Sequence, residues 1–198
     1  MKREIVGVDL DNVICNTSMF IDELLKNKFN LYLDWDNDFV CYDFVRNTSL
    51  TKYIGEYLVE SVDNGTMFIN SLPYGDVCEG LNLLKKENFY IDIITSRPNG
   101  KEHMTINWLK KYNIIYDDIY FSRARDKKHL ARGLNMKAFV EDRFDILNMV
   151  LEECGSLAYG LMIIDHPWNR KFHNKHVDRV YSFMEACETI IKYKNGGH

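Results

Sequence analysis

Cysteine is scarce and poorly spaced for cross-linking. Cys15, Cys41, Cys78, Cys154 and Cys187 are an odd number with no C-x-x-C pair. That argues against a disulfide framework or a zinc site and fits a reducing, cytoplasmic setting. Positive charge is not in excess either. The net charge of -4 gives no general attraction to polymeric nucleic acid or an anionic membrane, so any phosphate must be held by local groups. Long apolar runs are missing. The first is cut short by Asp9 and does not read as a signal peptide, and Leu157 to Ile164 is too short to span a bilayer. Without a secretory signal, the glycosylation-like triplets at Asn16, Asn47 and Asn64 read as coincidence. There is no internal repeat, no low-complexity tract and no G-x-G-x-x-G.

What is present is a globular composition, 46% hydrophobic and 13% aromatic over 198 residues. It suits one domain of ordinary size with room for a small insertion. The stretch that organises the rest is Ile5-Val6-Gly7-Val8-Asp9-Leu10-Asp11-Asn12-Val13, a short apolar run ending in two carboxylates one residue apart. In an extended chain such residues point the same way, about 6–7 Å apart. Two adjacent anions repel, so the pair is expected to share a proton or bind a cation, although a solvated turn rich in Asp is the plainer alternative.

Helical spacing follows from Thr17 to Phe29, and again from about Leu50 to Val62. Between them, Asn30 to Phe44 is dense in aromatics and acids and has no period. Residues 17–72 therefore read as a mostly helical insertion. From Leu72 onward, strands and helices alternate: a helix through Val77, Leu81 and Leu84, then strands at Phe89–Ile94, Ile119–Phe121, Ala138–Val140 and Leu161–Ile164. Asn99 with Glu102, and Ser182 with Glu185, resemble capping boxes. Short apolar strands without alternation mean an α/β fold, a parallel sheet with helices on both faces. Ligands bind such sheets beyond the carboxyl ends of the strands. Four expected strands end there in polar clusters: Asp9/Asp11, Thr95/Ser96, Glu141/Asp142 and Asp165/His166.

Carboxylates at that density call for a hard cation with oxygen ligands, Mg²⁺ above all, which shares substrate phosphates readily. One Asp is then free to act as nucleophile and a second as acid and base, while a Thr hydroxyl and a Lys ammonium stabilise the phosphoryl oxygens. Position favours Thr95 over Ser96, with Ser96 able to add a hydroxyl or backbone N–H. It also favours Lys127 over Lys128, since Lys127 sets Leu130, Ala131 and Leu134 on a buried face. Lys137, Arg46 and Lys52 read as ordinary surface charges.

These stretches, in order, resemble the motifs of the haloacid dehalogenase-like hydrolases. Asp9-Leu10-Asp11-Asn12-Val13 is similar to their D-x-D-x-[TV], Ile93-Ile94-Thr95 to the second motif, Lys127 to the third-motif lysine and Glu141-Asp142 to the acidic fourth motif. Thr95-Ser96-Arg97-Pro98, Val140-Glu141-Asp142-Arg143 and Asp165-His166-Pro167-Trp168-Asn169 point to the deoxyribonucleotidase-like branch. The resemblance implies a Rossmann-like core, 1–16 and 73–198, with a C1-type cap at 17–72. It implies Asp9 as nucleophile, Asp11 as acid/base, Mg²⁺ held by Asp9, the Asp11 carbonyl and Asp142, and phosphate held by Thr95 and Lys127. Glu141, Asp145, Asn12, Phe20 and Arg97 are further candidates for contact with the site or substrate. Asp145 could equally stabilise the start of its helix. His166 and Trp168 could line the site or pack a loop, and Cys15 reads as a buried filler.

The expected activity is phosphatase action on a small phosphorylated molecule, a nucleoside monophosphate first, with a second copy of the chain as a candidate partner. One departure bears on the base: nucleotide-stacking members carry an aromatic just after the first motif, where this chain has Thr17-Ser18, leaving Phe20, Trp35 or Tyr42 to substitute. The alternatives are a sugar-phosphate or other phosphoester phosphatase, and a phospho-accepting receiver domain. The large insertion and the late Glu141-Asp142 pair speak against the receiver.

Overall fold

Buried apolar runs form a sheet around the strand that carries the first acidic pair. A computed structural model describes residues 4–35 and 52–197. In chain order it runs β1 (Glu4–Val8), β2 (Cys15–Asn16), α1 (Thr17–Phe29), α2 (Lys52–Asp63), α3 (Thr66–Asn70), β3 (Leu72–Pro73) and α4 (Val77–Lys86). Then come β4 (Phe89–Thr95), α5 (Glu102–Lys111), β5 (Asp118–Phe121), α6 (Lys127–Gly133) and β6 (Ala138–Glu141). The chain finishes with α7 (Phe144–Cys154), β7 (Leu161–Ile164), β8 (Asp178–Val180) and α8 (Phe183–Lys194).

Six strands pair in parallel in the order β5-β4-β1-β6-β7-β8. The chain builds outward from β1 through β4 to β5, then returns to the opposite side of β1 for β6. That reversal opens a crevice at the carboxyl ends of β1, β4 and β6, where ligands of such sheets sit. Val8 is level with both Ile93 and Val140, so the three strand exits lie side by side. The α/β expectation is met.

Alternate strand residues feed two separate cores. On one face Val6, Val8, Ile91 and Ile93 meet Leu81 and Leu84 of α4 and Phe183 and Ile190 of α8. On the other, Ile94, Phe139 and Ile163 meet Ala131 of α6 and Ile146, Leu147 and Val150 of α7. Gly7 is needed on this second face: a β-carbon there would come within 2.6 Å of the Met136 sulfur and 2.9 Å of the Phe139 ring. The helices between β2 and β3 have a third core of their own, Ile21, Leu25, Leu58, Met67 and Phe68. Their base is closed by antiparallel pairing of β2 with β3, and Trp108 of α5 donates to the Ser71 carbonyl at 2.7 Å.

Three strands escape the apolar pattern. β2 and β3 have two residues each, too few for a period, and β8 is the charged Asp178-Arg179-Val180. One capping expectation is corrected. Helix α5 begins at Glu102 with Lys101 at its cap and no side-chain cap bond. Gly100 turns through a left-handed φ of 84°, which leaves Asn99 outside the turn its side chain would have to cap. The other forms in half: Ser182 caps by accepting from the Glu185 amide at 3.1 Å, but Glu185 reaches past it to accept from the Tyr181 amide at 2.7 Å. Cys41, Phe39, Tyr42, Phe44, Arg46, the acids Asp36, Asp38 and Asp43, and the Asn47 triplet lie outside the described residues.

Candidate active site

Asp9 leaves β1 still bound to the sheet, its amide donating to the Val140 carbonyl at 2.9 Å. The chain then turns sharply instead of continuing as a strand. Leu10 is buried, its carbonyl accepts from the amides of Ile14 and Cys15, and Asn12 takes a left-handed φ of 60°. Asn tolerates that conformation better than most residues. The turn parts the two carboxylates and gives each its own cation.

Asp9 meets Lys127, the first residue of α6, at 2.5 Å, and the same ammonium donates to Glu141 at 2.8 Å. Lys127, Asp9, Glu141 and Asp142 are all buried. Oxygens of Asp9, Glu141 and Asp142 lie within 4.8 Å of one another. Three buried carboxylates against one buried ammonium leave excess negative charge in a poorly solvated place. Burial, then the neighbouring Glu141 charge, pushes the Asp9 carboxyl up to about 7 against the pull of Lys127. Burial likewise raises Glu141 to about 7, Lys127 opposing and Asp142 adding to the rise. For Lys127, burial favours the neutral amine, but Asp9 and Glu141 outweigh it and hold it charged. An all-oxygen, over-acidic cluster of this kind fits a hard divalent cation.

Asp11 is held differently. Arg97, two residues beyond β4, grips it with Nε at 3.0 Å and Nη2 at 2.9 Å, and Thr17 donates to it at 2.7 Å. Burial raises the Asp11 carboxyl, yet Arg97 and Thr17 reverse this and leave it below the usual carboxylate range. The guanidinium is buried over the Phe68 ring, 4.5 Å from its centroid. Thr95 is fully buried and its hydroxyl accepts from the Arg97 amide at 3.2 Å. Ser96 is exposed and forms part of the cavity wall.

These groups, apart from the buried Thr95, line one cavity of about 280 Å³. Its floor includes Asp9, Asp11, Lys127, Glu141 and Asp142, and its apolar side is Ile21, Val62, Met67 and Phe68 from the segment between β2 and β3. Among the sequence candidates, Asn12, Ser96 and Arg97 also reach it, whereas Phe20 lines a different hollow with Leu24 and Tyr57. Lys128 is half-buried beside α7, where its carbonyl accepts from Cys154. Asp145 is 58% exposed and pairs with Arg143. Cys15 is buried, its thiol pushed up to about 12 by that burial.

Sequence reasoning missed the work of the loop after β7. His166 donates through Nε2 to the Asn12 carbonyl at 2.8 Å, Trp168 donates to Asp142 at 3.2 Å, and Asn169 donates to the Asp142 carbonyl at 2.8 Å. Burial lowers the His166 pKa, which favours the neutral ring, and a carbonyl partner requires the proton on Nε2. The signals there, polar residues at a strand exit and a phrase resembling the deoxyribonucleotidase-like branch, say nothing about partners more than twenty residues away. Thr17 was read as a helix start and as a non-aromatic position after the first motif, not as a donor to Asp11.

No family model matches the chain. A curated relative of Bacillus subtilis named "Putative nucleotidase YqfW" is 24% identical over 191 residues, covering 96% of this chain and 95% of the relative. A nucleotidase of Clostridium acetobutylicum is 30% identical over 100 residues, half of each chain. Among solved structures, CbbY of Rhodobacter sphaeroides in complex with phosphate has a TM-score of 0.58 at 13% identity, over 92% of this chain and 96% of that one. A "putative haloacid dehalogenase-like hydrolase" of Burkholderia xenovorans scores 0.60 at 12%, over 97% and 99%. The L-2-haloacid dehalogenase of Xanthobacter autotrophicus scores 0.60 at 10%, over 96% and 98%. With its sheet order and its acidic strand exits, the chain has the haloacid dehalogenase-like hydrolase fold.

Proposed function

We propose that this chain is a Mg²⁺-dependent phosphomonoesterase working through an aspartyl-phosphate on Asp9. The observation that carries the reading is the convergence of Asp9, Glu141 and Asp142 on Lys127, beside an Asp11 secured by Arg97. Asp9, Asp142 and the Asp11 carbonyl would hold the cation, which when bound neutralises the phosphate and the acidic floor. Asp9 Oδ attacks phosphorus as the bond to the leaving oxygen breaks, and Asp11 supplies the proton that oxygen needs. In the second half Asp11 takes a proton from water, the resulting hydroxide attacks phosphorus, and the bond to Asp9 breaks. Asp11 would enter the first half protonated and leave it ionised, the form that the Arg97 pair favours and that the second half uses as base. Lys127 and the Thr95–Ser96 turn stabilise charge on the transferring oxygens.

In this reading residues 17–72 are a cap over a core of 1–16 and 73–198. Ile21, Val62, Met67 and Phe68 shield the reacting centre from bulk water, and cap movement gates exchange. Nucleoside monophosphate is the preferred substrate class, supported by the names of two relatives. A small phosphoester such as a sugar phosphate is the second reading. It is favoured by a cavity near the lower end of the roughly 300–1,000 Å³ usual for ligands, and by a Phe68 face already covered by Arg97. Phosphate release from a panel of nucleotides and sugar phosphates with Mg²⁺ separates the two. Faster turnover of nucleotides is the expected result, and indifference to the base would favour the small phosphoester.

A further inference from the structure

One short segment ties together the two loops that carry the acidic cluster. His166 bonds the Asn12 carbonyl in the turn after Asp11, and Asn169 bonds both the Asp142 carbonyl and the Ile164 carbonyl at the end of β7. Between them, the Trp168 indole N–H points at Asp142 Oδ2 from 3.2 Å. An indole N–H can only donate, and here it engages one oxygen of the carboxylate. The ring is held in place as well. His166 stacks on it at 4.4 Å and 8°, and Trp35, from the segment between α1 and α2, packs on it at 5.5 Å.

We propose that Trp168 is a positioning residue for Asp142, orienting that carboxylate toward the cation through its indole N–H. This rests on the proposed reading in which Asp9, Asp142 and the Asp11 carbonyl hold the cation. Partners that orient a ligand from behind tune metal affinity about 10–100-fold without touching the ion. Trp35 packs on the same ring, so the emission of this tryptophan pair is expected to respond to a change at Asp142. That makes tryptophan emission a reporter of the site.

The test is Mg²⁺ binding to the full chain by titration calorimetry, comparing wild type, Trp168→Phe and Asp142→Asn. Phe keeps an aromatic ring for His166 and Trp35 but removes the donor. We expect Trp168→Phe to bind Mg²⁺ about 10–100-fold more weakly, with turnover at saturating Mg²⁺ close to wild type. Wild-type affinity in Trp168→Phe, with loss in Asp142→Asn, would overturn the positioning role and leave the cation site standing. Wild-type affinity in Asp142→Asn would instead overturn the cation reading itself. Should Trp168→Phe fail to fold, wild-type emission decides: a saturable change on adding Mg²⁺, kept in Trp35→Phe and lost in Asp142→Asn, supports the inference. Emission that ignores Mg²⁺ while calorimetry registers binding would overturn it.

Discussion

Arg97→Met is the perturbation that reads most directly on how this site is held together. The Arg97 side chain is fully buried and Asp11 is one-quarter exposed, so their bidentate pair is poorly screened by water. Methionine preserves much of the apolar stem against Phe68 and deletes the guanidinium, leaving Asp11 with its Thr17 bond. Removing one partner of a buried pair costs about 3–5 kcal/mol. At this chain length that lowers Tm by on the order of 10 °C. Asp11→Asn strands the guanidinium and should cost a similar amount. In the double variant neither charge remains, so its cost should fall short of the sum by about 2–3 kcal/mol. Urea unfolding of the three variants and wild type measures this. The folded Asp11 carboxyl lies below its unfolded value. The coupling should therefore be fully present above the ordinary carboxylate range and be lost as pH falls through the folded value. Costs that add to within about 0.5 kcal/mol at pH 7 would refute the argument.

Other outcomes follow from the same geometry. Lys127→Met removes the ammonium shared by Asp9 and Glu141, and phosphate release should fall about 10²–10³-fold; a loss under tenfold would remove Lys127 from the chemistry. Asp9 and Glu141 are raised to about 7 in the fold, so between their unfolded values and pH 7 the folded chain holds more protons than the unfolded one. The contribution of these two groups to cation-free stability should therefore decline as pH rises from about 4 to about 7, the range between the two states' values. Mg²⁺ should raise Tm more at pH 8 than at pH 5, and the opposite order in a melting series would contradict it. Asp145→Asn loses only an exposed pair with Arg143, so stability should change by less than about 1 kcal/mol. A larger loss in denaturant titration would give Asp145 a role this structure does not assign.

The sheet was legible because its strands are short, apolar and flanked by breakers, and because parallel strands buried on both faces leave that pattern. The acidic cluster was legible because Asp9 and Glu141-Asp142 sit at strand exits, and parallel order brings such exits together. Pairing across long sequence distances left no trace. Nothing near Asp11 announces Arg97, 86 residues away, and that arginine changes the prospect of two repelling carboxylates into two separately neutralised ones. Phe20 was a reasonable aromatic candidate from its place after the first motif. The buried side of α1 is set by Thr17, Ile21 and Leu25, which carries Phe20 round to another hollow.

The central claim is that Asp9 attacks phosphorus, and Asp9→Asn in a Mg²⁺-dependent phosphate-release assay tests it most directly. With the substrate that wild type turns over fastest, the variant should lose at least about 10³-fold in rate, as expected for deletion of a nucleophile, while still melting cooperatively. A folded Asp9→Asn protein that released phosphate at close to the wild-type rate would contradict the account.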